Sequence, residues 1–205
     1  MTRRTLEFWY EFGSTYSYPA AMRVERIAAA ADLELRWRPF LLGPIFVAKG
    51  QTDSPFNTDP VKGRYMWREL ARICRREGIP LVLPPARFVQ NSLKAARVAL
   101  VGEAEGWIPA FTRAVYTANF AEQKDISEDA TLIGILNALG VDAARAMAAA
   151  GSPEIKAKLK AQTEEAMARE IFGAPFFMVG NEPFWGNDRL EEAVAFAAHS
   201  EEVNK

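Results

Sequence analysis

The period of hydrophobic and polar positions changes several times along the chain. Residues 6–12, LEFWYEF, are apolar, aromatic-rich and of high β-propensity, and they predict a first strand. Residues 15–31 turn alanine-rich after Pro19 and predict a helix with proline in its first turns. Residues 33–38, LELRWR, alternate apolar and charged side chains, the period of a strand, and Pro39 ends that ladder. The opening therefore reads β-α-β, which suits two parallel strands joined by a right-handed crossover.

Residues 40–60, FLLGPIFVAKGQTDSPFNTDP, are rich in Gly, Pro, Asp and Asn and predict an irregular loop. A loop of that length in a compact domain is often functional. From 61 to 172 the period is helical almost throughout. YMWRELARICRRE is amphipathic, GIPLVLPP interrupts it, and Asn91 or Ser92 is placed to cap NSLKAARVALVGEAEG. WIPAFTRAVYTANFAEQ follows. Ser127 is placed to cap EDATLIGILNAL, which Gly140 closes. DAARAMAAA is short, and Ser152-Pro153 opens EIKAKLKAQTEEAMARE as N-cap and first helical residue. From Ile171 the pattern reads as loop, strand over 176–179, turn at Gly180-Asn181, short strand near 183–185, and helix from about 188. The head and the β-β-α tail predict one mixed sheet built from residues 1–60 and 171–205, with residues 61–170 a helical insertion packed on it.

Composition narrows the chemistry. The chain has 205 residues, 49% of them hydrophobic, which suits one domain or a small domain with a large insertion around a sizeable core. A net charge of −1 leaves no electrostatic footprint for nucleic acid. No stretch approaches the roughly 20 apolar residues of a membrane span. MTRRTLEFWYEF has no long apolar run behind its arginines, so it does not read as a signal peptide, and a cytoplasmic protein with no membrane partner is expected. A single cysteine, Cys74, excludes an intrachain disulfide and reads as a small buried hydrophobe beside Ile73. The sole histidine, His199, is poorly placed for a Ser-His-Asp triad. One His and one Cys cannot build a zinc site of the usual nitrogen–sulfur type, so no metal is expected. There is no Walker A loop and no G-x-G-x-x-G.

One stretch remains. FWYEFGSTYSY, residues 8–18, runs a strand signal through Gly13 into Ser14-Thr15-Tyr16-Ser17, where a helix begins. A hydroxyl there either caps the helix or does chemistry, and the residues alone leave both open. Ser17 reads as a structural first-turn hydroxyl.

The order of elements resembles the thioredoxin-like α/β fold of the DsbA and kappa-class glutathione transferase type, with its large helical insertion. In that fold a C-x-x-C motif follows the first strand and a cis-proline opens the third. Here the first place is held by Ser14 to Ser17 and the second by Ala174-Pro175. Dithiol redox chemistry needs two thiols, so this chain cannot perform it. The sequence further resembles the 2-hydroxychromene-2-carboxylate isomerases and their kappa-class relatives over nearly its whole length. The resemblance is carried by YEFGSTYSY at 10–18, RPFLLGPIF at 38–46, FN…KGRYMWREL at 56–70, NSLKAAR at 91–97 and FGAPFF…FWGNDRL at 172–190.

That resemblance implies glutathione as cofactor. Ser14 is implied as the catalytic residue, donating a hydrogen bond to the glutathione sulfur. The Ala174 backbone would pair with the cysteinyl part beside a cis Pro175, and Trp185, Gly186, Asn187 and Asp188 would hold the γ-glutamyl end. A small aromatic substrate would meet Phe46, Lys49, Asn57 and Arg64, with Phe40, Phe46, Phe56 and Trp185 lining an apolar pocket. The implied reaction is a cis–trans isomerisation by reversible addition of the thiolate to an enone-like substrate. A kappa-like transferase and a non-redox binding protein on the same fold are the alternatives. Relatives carry a lysine just after the LLG-x-[IV]-F segment. Here Val47 stands there and Lys49 lies two residues on. A homodimer is also implied.

The physics suits these residue types. A free thiol of pKa about 8.5 is only a few per cent thiolate at neutral pH. A hydroxyl donor and the positive end of a helix favour the anion, at about 1.4 kcal/mol for each pKa unit.

Overall fold

The computed structural model describes residues 4–51 and 53–199, so the start of the N-terminal stretch read above against a leader lies outside them. The elements are β1 (Thr5–Tyr10), α1 (Ser17–Ala30), β2 (Glu34–Pro39), α2 (Leu42–Ala48), α3 (Pro55–Thr58), α4 (Pro60–Glu77), α5 (Leu93–Glu105), α6 (Ile108–Phe120), α7 (Asp129–Ala138), α8 (Ala143–Ala150), α9 (Pro153–Ala168), β3 (Phe176–Val179), β4 (Glu182–Trp185) and α10 (Leu190–His199). A short 3₁₀ turn, Asn187–Arg189, precedes α10. The sheet order is β2-β1-β3-β4. β1 runs parallel to β2, with Phe8 opposite Trp37, and antiparallel to β3, with Phe8 opposite Phe177. β3 pairs antiparallel with β4. This is the thioredoxin-like arrangement expected, with the helical segment inserted between the β-α-β head and the β-β-α tail. Among the described residues no helix is long and apolar enough to cross a membrane.

The alternation of a strand sends successive side chains of β1 to opposite faces. Leu6, Phe8 and Tyr10 enter a core that continues through α1, α5, α6 and α8. That core has no break between sheet and helices, because the inserted helices supply the apolar surface that one sheet face needs. Trp9 points the other way, into a smaller cluster with Phe40, Ile45, Ala166, Ile171, Phe176 and Met178. Its indole N–H donates to Glu7 at 3.0 Å, and the Arg38 guanidinium lies 4.5 Å from its ring centroid. Phe40 is fully buried edge-on against Trp9, so it does not line an open pocket; the sheet claims it instead.

Two further expectations change. The stretch 40–60 holds α2 and α3. Its prolines are helix starters: Pro44 sits in the first turn of α2, and Pro55 follows Ser54, whose hydroxyl accepts from the Phe56 N–H. Pro60 likewise follows Asp59, whose carboxylate caps α4. Ser127 does not cap α7. Its hydroxyl donates to Asp125 at 2.6 Å, and Glu128 occupies the cap position without a side-chain bond. Ser152 caps α9, and Gly140 follows α7 at φ 72°.

Candidate functional site

β1 ends at Tyr10, and the chain turns through Glu11 to Tyr16 before α1 starts at Ser17. The turn approaches the segment before α5 so closely that a Cβ on Gly13 would lie 2.4 Å from Val89 Cγ1 and 3.2 Å from the Gln90 carbonyl oxygen. A side chain there would displace Val89 and crowd the Gln90 main chain, so glycine suits this approach. Ser14 is half-buried. Its hydroxyl accepts from the Ser17 N–H at 3.3 Å and donates to the Ala174 carbonyl at 2.8 Å. It therefore meets the first turn of α1 and reaches across to the loop before β3. Ser17, the first residue of α1, is fully buried.

That loop forms the second wall. The Ala174–Pro175 peptide is cis, as the resemblance implies. The Pro175 carbonyl accepts from the Gly186 N–H at 3.0 Å, which ties the turn after β4 to the same place. Two hydrogen bonds, on either side of the cis Ala174–Pro175 peptide, thus link Ser14 to Gly186. Trp185 stands exposed at the rim, against the ring of Phe172 at 4.8 Å between centroids. It lies over Gly173, where a Cβ would fall 2.5 Å from the indole nitrogen. Asp188 points outward, 3.6 Å from Arg189. Asn187 turns inward, where its side-chain and main-chain oxygens accept from Arg23 at 2.9 and 3.2 Å. Arg23, buried on α1, also pairs with Glu191 at 2.5 Å and so anchors the whole turn. Trp185, Gly186 and Asp188 are left as the outward-facing members of that group.

The remaining candidates fall in two places. Phe46 is half-buried on α2, while Val47 is exposed. The Lys49 ammonium lies 5.3 Å from the Phe172 ring centroid, which brings it to the Trp185 rim. Asn57 is exposed on α3, with its amide donating to Asp53 at 3.1 Å. Arg64 is exposed on α4. Phe56 meets the ring of Tyr16 at 6.0 Å, so α3 abuts the Ser14 turn through Tyr16. Among the described residues no group of three potential ligands could hold a metal.

The family model described as "DSBA-like thioredoxin domain" matches residues 5–196. A curated relative from Pseudomonas putida named 2-hydroxychromene-2-carboxylate isomerase is 30% identical over 188 residues, covering 90% of each chain. The chain belongs to the DsbA-like thioredoxin family and, within it, to the 2-hydroxychromene-2-carboxylate isomerase family. A solved structure of a 2-hydroxychromene-2-carboxylate isomerase superposes with TM-score 0.84 at 27% identity, over 93% of each chain. A Caenorhabditis elegans protein named glutathione s-transferase kappa 2 is 22% identical over 96% of this chain and 92% of its own.

In this family member the turn also contains a buried carboxyl that sequence reading passed over. Glu11 is nearly inaccessible, and its carboxylate accepts from the Gly13 N–H at 2.9 Å. Burial pushes its pKa from 4.5 up to about 7, against the opposing pull of the Ser92 hydroxyl and the Gly13 and Ser14 amides. A carboxyl held high in the folded state is protonated there while already ionised in the unfolded chain. Stability is therefore lost as pH rises from 4.5 through about 7. Glu11→Gln has no such proton to release. It is expected to gain about 2–3 kcal/mol on the wild type between pH 5 and pH 8 in urea unfolding. A difference independent of pH would contradict the assignment.

Proposed function

We propose that this chain is a glutathione-dependent cis–trans isomerase of the 2-hydroxychromene-2-carboxylate type. The observation that carries the reading is the Ser14 hydroxyl at the start of α1, 2.8 Å from the carbonyl of Ala174 in a cis Ala174–Pro175 unit, where a redox thiol would stand in this fold. The one thiol of the chain, Cys74, is buried in α4 and its pKa is pushed up to about 11, again by burial. A sulfur nucleophile must then come from outside.

The residues fit a thiol peptide. A hydroxyl donor and a helix N-terminus face one point, main chain is available at Ala174, and an exposed acid, Asp188, stands ready for an ammonium group. Glutathione, when bound, supplies a thiolate that adds reversibly to a conjugated double bond and frees it to rotate. Ser14 donates to the sulfur and stays a hydroxyl throughout; its hydroxyl bonds the Ala174 carbonyl and the Ser17 N–H, while the Glu11 carboxylate accepts from the Gly13 amide. Ala174 pairs through its backbone, and Trp185, Gly186 and Asp188 hold the γ-glutamyl end, with Asn187 held inward by Arg23 beneath them. Phe46 and Lys49 receive the aryl and carboxylate parts of the substrate, with Asn57 and Arg64 as outer contacts. Lys49 takes the role that the lysine at position 47 has in relatives.

The family members named as isomerases favour rotation and release over conjugation. The kappa-named relative and Val47 favour a transferase as the second reading. Incubation with glutathione and 2-hydroxychromene-2-carboxylate separates them. Formation of the trans product with glutathione fully recovered is expected, whereas stoichiometric loss of glutathione would contradict the isomerase.

A further inference from the structure

We propose that α6 sets the position of the Ser14 hydroxyl, with Tyr116 and Asn119 as positioning residues that hold the two main-chain carbonyls ahead of Gly13. The inference rests on the glutathione reading of Ser14 for its consequence in catalysis, but its geometry stands apart from it. The Tyr116 hydroxyl donates to the Glu11 carbonyl at 2.9 Å, and the Asn119 amide donates to the Phe12 carbonyl at 3.0 Å. The two side chains lie three residues apart on one face of α6, at 0% and 3% exposure.

The sheet cannot do this work. β1 pairs with β2 only as far as Tyr10 opposite Pro39, and with β3 only as far as Trp9. Beyond that point the carbonyls of Glu11 and Phe12 have no strand partner, and buried carbonyls need one. Side chains of α6 take over. The Glu11 carbonyl also accepts from the Ser14 N–H at 3.0 Å, so Tyr116 and Ser14 share one acceptor. Asn119 is itself oriented. Its oxygen accepts from the Gln90 amide at 2.9 Å, which turns its NH₂ toward Phe12. Gln90 donates as well to the Lys124 carbonyl at 3.1 Å and accepts from the Ile126 N–H at 2.8 Å. Burial raises the Tyr116 phenol well above its usual range, with Glu11 and Tyr10 acting in the same direction, so it stays a donor. A donor that must stabilise a sulfur anion has to be held within about 0.5 Å of its productive place, and this chain of bonds supplies that restraint.

Tyr116→Phe removes one oxygen and keeps the ring packing; Asn119→Leu removes the second donor. Thr112→Val is the control. It deletes another buried hydroxyl of α6, bonded to Tyr10 at 2.8 Å, that does not touch the turn. Two readouts apply. In the protein without glutathione, amide exchange at Ser14 is expected to quicken about fivefold in Tyr116→Phe, as the loss of one hydrogen bond implies, with exchange at Phe8 unchanged. The ultraviolet titration of bound glutathione is expected to shift upward by about half a unit in Tyr116→Phe and Asn119→Leu, with affinity within about twofold. The proposal is overturned if both variants match Thr112→Val in exchange at Ser14 and in titration. Absence of any thiolate band in the wild type would instead overturn the glutathione reading, and exchange alone would then decide the clamp.

Discussion

Replacing Ser14 by alanine is expected to lower turnover about 100-fold or more while leaving glutathione affinity within about threefold. Removing one preorganised donor aimed at a developing anion costs about 10²–10³ in kcat. The α1 N-terminus remains and keeps part of the stabilisation. The main chain at Ala174 and the turn at Trp185–Asp188 are untouched, so the other contacts proposed for the peptide are expected to remain. The substitution also strips the Ala174 carbonyl and the Ser17 N–H of a partner. Ala174 is half-buried and Ser17 fully buried, so the two losses together cost about 2–3 kcal/mol, which lowers the melting temperature by several degrees without unfolding the protein. The kinetic signature separates the two effects: kcat and kcat/KM fall together when an interaction made in the transition state is lost. A variant with wild-type kcat would remove Ser14 from the mechanism.

Truncating Phe8 to alanine is expected to destabilise the fold by about 3–5 kcal/mol. Phe8 is fully buried, with its ring 5.0 Å from Tyr10, 5.3 Å from Trp37 and 5.4 Å from Phe177. Those neighbours lie on β1, β2 and β3, so one side chain ties three strands beneath the Ser14 turn. A cavity at that point has rigid walls and little room to collapse. Folded domains hold only about 5–15 kcal/mol in total, so this loss takes a large share. Urea unfolding measures it. Val61→Ala on the exposed face of α4 serves as the comparison and is expected to stay within about 0.5 kcal/mol. A Phe8→Ala loss as small as that would contradict the packing described.

The strands were legible because their periods are short and local. LELRWR alternates and FWY is aromatic, and these two segments pair in parallel as expected, but β1 stops at Tyr10 where a strand to Phe12 was expected, and Pro39 still pairs with Tyr10. Ser152 was legible as a cap because Ser-Pro at a helix start is a local signal. The stretch 40–60 was misread because proline marks both the breaks and the first turns of helices, and sequence alone does not tell which. Ser127 was misread because a hydroxyl beside Asp125 has a competing local acceptor.

In the site, Ser14, Ala174, Pro175 and Gly186 stood out through their motifs and do come together. Glu11, Arg23, Tyr116 and Asn119 did not stand out. Their partners lie far along the chain: Asn119 meets Phe12 across 107 residues, and Arg23 meets Asn187 across 164. Hydrophobic periodicity marks polar residues as exposed and carries no record of a distant carbonyl. One faint signal existed. Thr112, Tyr116 and Asn119 recur at helical spacing on the face of α6 that also holds Phe111 and Val115. Polar groups on an apolar stripe need buried partners. Arg23 beside Ala20 and Val24 in α1 is the same kind of signal.

A structure of the complex with glutathione tests the central claim most directly. The account predicts the sulfur within about 3.5 Å of Ser14 Oγ, with the hydroxyl turned from the Ala174 carbonyl toward it. A bound tripeptide whose sulfur lies elsewhere, with the Ser14 hydroxyl still donating to Ala174, would contradict it.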